Sequence, residues 1–150
     1  MDSIDKIKES LGGDWLPDLY REHVRGVRTR AYSVDVPAGE NKTAIMHTLL
    51  GIELKVGKRR LQCPDLATAR FIQIFTRIGC SEFAIPYDIT AVSPAADLLE
   101  SGWQKALLLC DEFAQQNSAG LSKTRKALVK RFRKEIEEIG AGDPHPTFGS

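Results

Sequence analysis

The sequence predicts an α+β fold: a three-stranded antiparallel meander plus a fourth strand, covered by helices, with two long helices at the C-terminal end. Three patterns carry this expectation. Phe71, Ile74, Phe75 and Ile78 stand at i, i+3, i+4 and i+7, the stripe of a helix with one buried face. Ile52-Glu53-Leu54-Lys55-Val56 and the series Phe83, Ile85, Tyr87, Ile89 repeat with a period of two, as half-buried strands do. Beyond Pro94 the apolar positions return to helical spacing: Leu99, Trp103, Leu107 and Cys110, then Leu121, Leu128, Phe132, Ile136 and Ile139.

Taken in chain order, Ser3 can cap a first helix that Gly12-Gly13 would end. A second helix is expected from Pro17, a residue suited to the first helical position, to just before Gly26. Val27–Val36 is rich in β-branched residues and reads as a strand. Pro37–Lys42 then turns the chain into a long strand over Thr43–Val56, and Gly57-Lys58 turns it back into Arg59–Cys63. Asp65, after Pro64, can cap the Phe71–Ile78 helix, and Gly79 can stop it. Pro86 cannot donate to a ladder, which places the fourth strand at an edge or Pro86 at its end. Ser93-Pro94 opens the long helix 94–116, and the last helix follows Asn117-Ser118-Ala119-Gly120. Residues 1–140 therefore read as one domain, and the Gly- and Pro-rich 141–150 as a flexible tail.

Composition bounds the class. The chain has 150 residues, 42% hydrophobic and 27% charged, which suits one globular core and not a disordered chain. Met1-Asp2-Ser3-Ile4-Asp5 lacks a secretory signal, and no apolar run approaches the roughly 20 residues of a membrane span. Cys63, Cys80 and Cys110 lack CxxC spacing and lie in apolar stretches, so they read as small buried side chains. A cytoplasmic protein is expected.

One string looks enzymatic. Glu53-Leu54-Lys55 on a strand, with Asp35 upstream and Glu22 on a preceding helix, resembles the PD-(D/E)XK nuclease superfamily. The resemblance implies that Asp35 and Glu53 would hold Mg²⁺ while Lys55 steadies water or phosphate. Pairing Val27–Val36 with Thr43–Val56 about the Pro37–Lys42 turn, however, sets Asp35 opposite position 44 and Glu53 opposite position 26. That is about 30 Å along the ladder, too far for one ion unless the strand breaks near Gly51 or Asp35 pairs in another register. Cross-strand charges on a solvated face would explain Arg28, Glu53 and Lys55 equally well. Gly39-Glu40-Asn41-Lys42-Thr43 looks like the end of a phosphate-binding loop, but Asn41 stands where a glycine is needed before the lysine. His23, His47 and His145 show no metal-ligand spacing.

The charge layout says more. Lys and Arg number 21 and Asp and Glu 20, a net +1. That total conceals two basic blocks: residues 21–60 carry nine bases against four acids, and 121–134 carry seven bases and no acid. Cations are disfavoured in the first turns of a helix by about 0.3–1 kcal/mol each. The last helix nevertheless begins with Lys123, Lys126, Lys130, Arg131, Arg133 and Lys134 and ends in Glu135, Glu137 and Glu138. Either the acidic 81–120 helix lies alongside, or the basic face is simply solvated, or a partner supplies the anion. In the register above, Arg28, Arg30 and Tyr32 would share a sheet face with Arg60. Lys58 and Arg59 lie at the neighbouring turn. Basic residues around an aromatic can serve nucleic-acid binding.

The reading that follows is a non-enzymatic binding or adaptor domain without a cofactor. It would contact an anionic partner, a nucleic acid or an acidic protein surface, through the basic helix and the Arg-rich strands. The alternatives are a Mg²⁺-dependent nuclease and a homo-oligomeric subunit whose 94–116 helix pairs with its twin.

Overall fold

The computed structural model describes residues 2–116 and 120–142. The expected loop at 117–119, His145 and positions 143–150 of the expected tail lie outside the described residues. The α+β class holds: two small antiparallel sheets sit among five α-helices, with α4 at the centre.

Helix α1 (Ser3–Leu11) is capped by Asp2, whose carboxylate accepts from the Asp5 amide at 2.8 Å, rather than by Ser3. Gly12 ends it with φ 53°. A 3₁₀ turn over Gly12–Asp14 leads into α2 (Leu16–His23), with Pro17 in its first turn.

The strands depart from the expected pairing. Strand β1 (Thr29–Ser33) does not form a hairpin with the next segment. It pairs antiparallel with β5 (Glu82–Pro86), Ala31 opposite Ala84. The connector after β1 is diverted across the end of α3 (Leu66–Arg77). The Asn41 backbone N–H donates to the Arg77 carbonyl at 2.8 Å, and its side-chain amide donates to the carbonyls of Thr76 at 3.0 Å and Pro37 at 2.9 Å. These contacts satisfy carbonyls that the helix end leaves open. They also explain Asn41 in the loop that looked phosphate-binding: its donors are already engaged.

The expected long strand is two strands. It breaks at Leu49-Leu50 into β2 (Thr43–Thr48) and β3 (Gly51–Val56), with Thr43 opposite Val56 and Gly51 at φ 118°. The Thr48 hydroxyl accepts from the Leu50 amide at 3.2 Å and steadies the turn. Gly57-Lys58 then leads to β4 (Arg59–Cys63), as expected, so the meander is β2-β3-β4. Pro86 is the last residue of β5, where a missing N–H costs no ladder bond.

Asp65 caps α3, accepting from the Thr68 amide at 2.7 Å, and Phe71, Ile74, Phe75 and Ile78 are all buried. Helix α4 (Ile89–Gln116) starts five residues ahead of Pro94. The Asp88 carboxylate accepts from the Thr90 amide at 2.9 Å, and Ile89, expected in a strand, is exposed. Its apolar side, Leu99, Trp103, Ala106 and Cys110, is buried, and the helix packs against α1, α2, α3, α5 (Leu121–Ile139) and β5.

Aromatic rings tie the layers together. Phe75 stacks on Phe83 at 4.4 Å between centroids, and Tyr20 meets Phe75 edge-on at 5.4 Å. Trp15 meets Phe132 at 4.7 Å, holding α5 to the N-terminal helices. Burial pushes the Cys80 thiol up to about 12 and Cys110 to about 11, so both behave as the small apolar side chains the sequence suggested.

Candidate anion-binding cleft

The basic stretch of α5 is sorted by the fold into distinct environments. At 100° per residue, Leu128, Phe132 and Ile136 face the core, and all three are buried. Arg125 leans to one side and meets Glu40 of the α3-anchored connector in a two-point pair, with Nε to Oε1 at 2.7 Å. Arg131 leans to the other, 3.2 Å from Asp5 and 2.6 Å from Glu135. Asp97 and Glu100 of α4 turn to α3, while Asp111 acts on Arg125 of α5. Glu100 takes Arg77 at 2.8 Å, Asp97 takes Arg70, and Lys105 reaches Asp14 at 3.1 Å.

What remains on α5 is a set of cations with no ion pair to a described residue: Lys123, Lys126, Lys130, Arg133 and Lys134. Lys126, Lys130 and Arg133 line a cleft of about 990 Å³ between α5, α3, α4 and the Gly39–Thr43 connector, joined there by Lys42. Trp103, Leu107 and Val129 also line it, and Gln73, Gln104 and Ser122 contribute polar groups. The guanidinium groups of Arg77 and Arg125 lie over the Trp103 ring at 5.5 and 5.8 Å, a cation–π arrangement that fixes both at the cleft.

Arg133 lines the cleft, and its Nη1 is enclosed by the protein with no hydrogen-bond partner among the described residues, at a cost to stability. The chemistry of the lining is that of anion recognition. Ammonium groups act as point charges, and guanidinium groups offer several fixed N–H donors to a phosphate or carboxylate.

The other residues singled out in the sequence are dispersed. Arg28 lies over the Tyr87 ring at 5.3 Å and Arg30 over Tyr32 at 6.0 Å, both beside the β1–β5 ribbon. Lys58 is exposed at the β3–β4 turn, Arg59 pairs with Asp35 at 2.9 Å, and Arg60 lies 3.5 Å from Glu53. The expected shared sheet face is therefore divided between two sheets. Glu22 is exposed beside His23, and Lys55 stands opposite Ala44 and Arg60 in the meander. The strand does break at Leu49-Leu50, yet Asp35 and Glu53 each turn to a separate arginine. Among the described residues no group of three or more His, Cys, Asp or Glu could hold a metal ion. No described helix is long and apolar enough to cross a membrane.

Sequence reasoning located Lys126, Lys130 and Arg133 but missed Lys42, Arg77 and the Glu40–Arg125 pair. Lys42 and Glu40 sat in a string that drew attention for another reason. Nothing in the sequence set Arg77 apart. No protein family matches the chain, and neither a curated protein nor a solved structure matches it significantly, so the functional reading rests on the residues themselves.

Proposed function

We propose that this chain is a non-catalytic binding domain whose cleft beside α5 receives the phosphate backbone of a nucleic acid. The observation that carries the reading is the convergence on one cleft of Lys42, Lys126, Lys130 and Arg133, none of them ion-paired to a described residue. Two further features support it. Lys123, in the first turn of α5, stands against the helix dipole, which an external anion would offset. Trp103 and Val129 are buried and Leu107 is half-buried, so the lysine and arginine head groups are the charged groups the cleft offers to phosphate.

The test is titration of a labelled oligonucleotide by fluorescence anisotropy, at several salt concentrations, against the protein and a Lys126→Glu/Lys130→Glu/Arg133→Gln variant. Binding should weaken steeply with salt, and the variant should lose it while keeping its melting temperature. Equal binding by the variant, or capture of an acidic polypeptide but no oligonucleotide, would overturn the proposal.

A further inference from the structure

The α5 helix has a cleft along both flanks, and we infer that this places it in the major groove of a B-form DNA duplex, with one phosphate strand over each cleft. The inference rests on the nucleic-acid reading above and adds the form of the partner.

The first flank is the 990 Å³ cleft at Lys126, Lys130 and Arg133. The second is a cleft of about 810 Å³ on the opposite side of α5, lined by Lys134, Arg131, Lys8, Arg21 and Arg25. Arg21 pairs with Asp18, and Lys8 and Arg131 with Glu135, so Lys134 and Arg25 are its cations with no ion pair to a described residue. Between the two runs a ridge of Lys123, Ala127, Lys130 and Lys134, all exposed. A helix bounded by grooves on both sides projects from its surroundings. With its side chains it is about 10–12 Å across, and the major groove of B-form DNA is about 12 Å wide. A helix seated there puts the two sugar–phosphate strands along its flanks, where this protein keeps its cations.

The chemistry of the lining separates this partner from its rivals. Single strands are held largely by stacking bases on exposed aromatic rings. The aromatic residue lining the first cleft, Trp103, is buried and already covered by Arg77 and Arg125, and the second cleft is lined by no aromatic residue. Double-stranded RNA offers a deep, narrow major groove that a helix does not enter. The ridge presents lysines and an alanine, without the Asn or Gln that read adenine edges, so recognition is expected to follow shape and charge more than base sequence. Glu135 and Glu138 also line the second cleft. Glu135 is occupied by Lys8, Trp15 and Arg131, which leaves Glu138 as a carboxylate opposed to phosphate.

The experiment compares a duplex DNA of about 20 base pairs, its single strand, the matching RNA duplex, and polyglutamate, by anisotropy between about 50 and 200 mM salt. Duplex DNA should bind at least about tenfold more tightly than the single strand or the RNA duplex. Engagement of about six phosphates gives a log–log salt slope of about −5. Lys126→Gln/Lys130→Gln on one flank and Arg25→Gln/Lys134→Gln on the other should each make that slope shallower by about 2, with melting temperatures retained. Equal or tighter binding of the single strand or RNA, or no effect from the second-flank pair, would overturn groove docking and leave the nucleic-acid reading standing. Binding of polyglutamate alone, or of none of the four, would overturn both.

Discussion

Removal of one oxygen atom, by Tyr20→Phe, should destabilise this fold by about 2–3 kcal/mol. The Tyr20 side chain is fully buried, and its hydroxyl bridges two distant parts of the chain. It accepts from the Ala84 amide of β5 at 2.8 Å and donates to the Gly140 carbonyl just after α5, also at 2.8 Å. Phenylalanine keeps the ring against Phe75, so no cavity opens and the effect isolates the two hydrogen bonds. The Ala84 N–H would be left buried without an acceptor, which costs about 1–3 kcal/mol. The Gly140 carbonyl is part-buried and can recruit water, so its loss adds less. With a urea m-value of about 2 kcal/mol/M, the unfolding midpoint should fall by about 1 M at unchanged m. The Ala84 amide should also exchange faster with solvent. Burial, the leading cause, pushes the Tyr20 hydroxyl up to about 12 from its ordinary 10.0. Its stabilisation is therefore fully present below pH 10 and is lost only as the pH rises through the higher value. A midpoint shift below about 0.3 M would refute the bridge, since no buried donor could then have lost its partner.

Two further perturbations probe other joints. A Cβ on Gly79 would stand 2.4 Å from the Gly39 nitrogen and 2.5 Å from its carbonyl oxygen, at φ +80°, so Gly79→Ala should cost about 2–4 kcal/mol in thermal or urea unfolding; a near-neutral result would mean that the 37–41 connector is not packed on the end of α3. Burial acts to raise the Glu135 pKa, but hydrogen bonds from Trp15, Arg131 and Lys8 outweigh it and hold the carboxyl below its ordinary 4.5. A depressed folded-state value gives stability that is present above pH 4.5 and lost as the pH falls through it, so Glu135→Gln should flatten the acid limb of a stability–pH profile, and an unchanged limb would count against the network.

Helix α3 was fully legible because its cap and its apolar stripe are local: Asp65 and Phe71–Ile78 lie within one continuous segment. The partner of β1 was not. Adjacent strands usually pair, and the competing strand β5 lies beyond the meander and α3, where periodicity carries no information about contact. The Leu49-Leu50 turn was hidden for a different reason. Two leucines carry none of the usual turn chemistry, and the burial that would argue against a turn is absent, since Leu49 is 106% and Leu50 86% exposed. Pro94 misled in the opposite sense, marking a helix start that Asp88 supplies earlier. At the cleft, the charge count along α5 found the cations that remain unpaired. It could not show that Glu40 would claim Arg125 or that Asp97 and Glu100 of α4 would turn to α3, because those are facts of tertiary neighbourhood.

The β1–β5 ribbon gives the chain a distinct order of assembly. Residues 34–81 lie between its two strands and contain the whole β2-β3-β4 meander together with α3, elements that pack on one another. Closing the ribbon directly would constrain a long loop before any contact rewarded it. Collapse of the meander onto α3 shortens that loop first and delivers Glu82 close to the end of β1, where the Val34 amide donates to the Ser81 carbonyl at 2.8 Å. The ribbon is thus a late clasp, and Tyr20, reaching from α2 to Ala84 and Gly140, is its latch. The expected kinetic outcome is that substitutions in the inner unit slow folding, while substitutions in the clasp chiefly speed unfolding, as stopped-flow rates in urea would read.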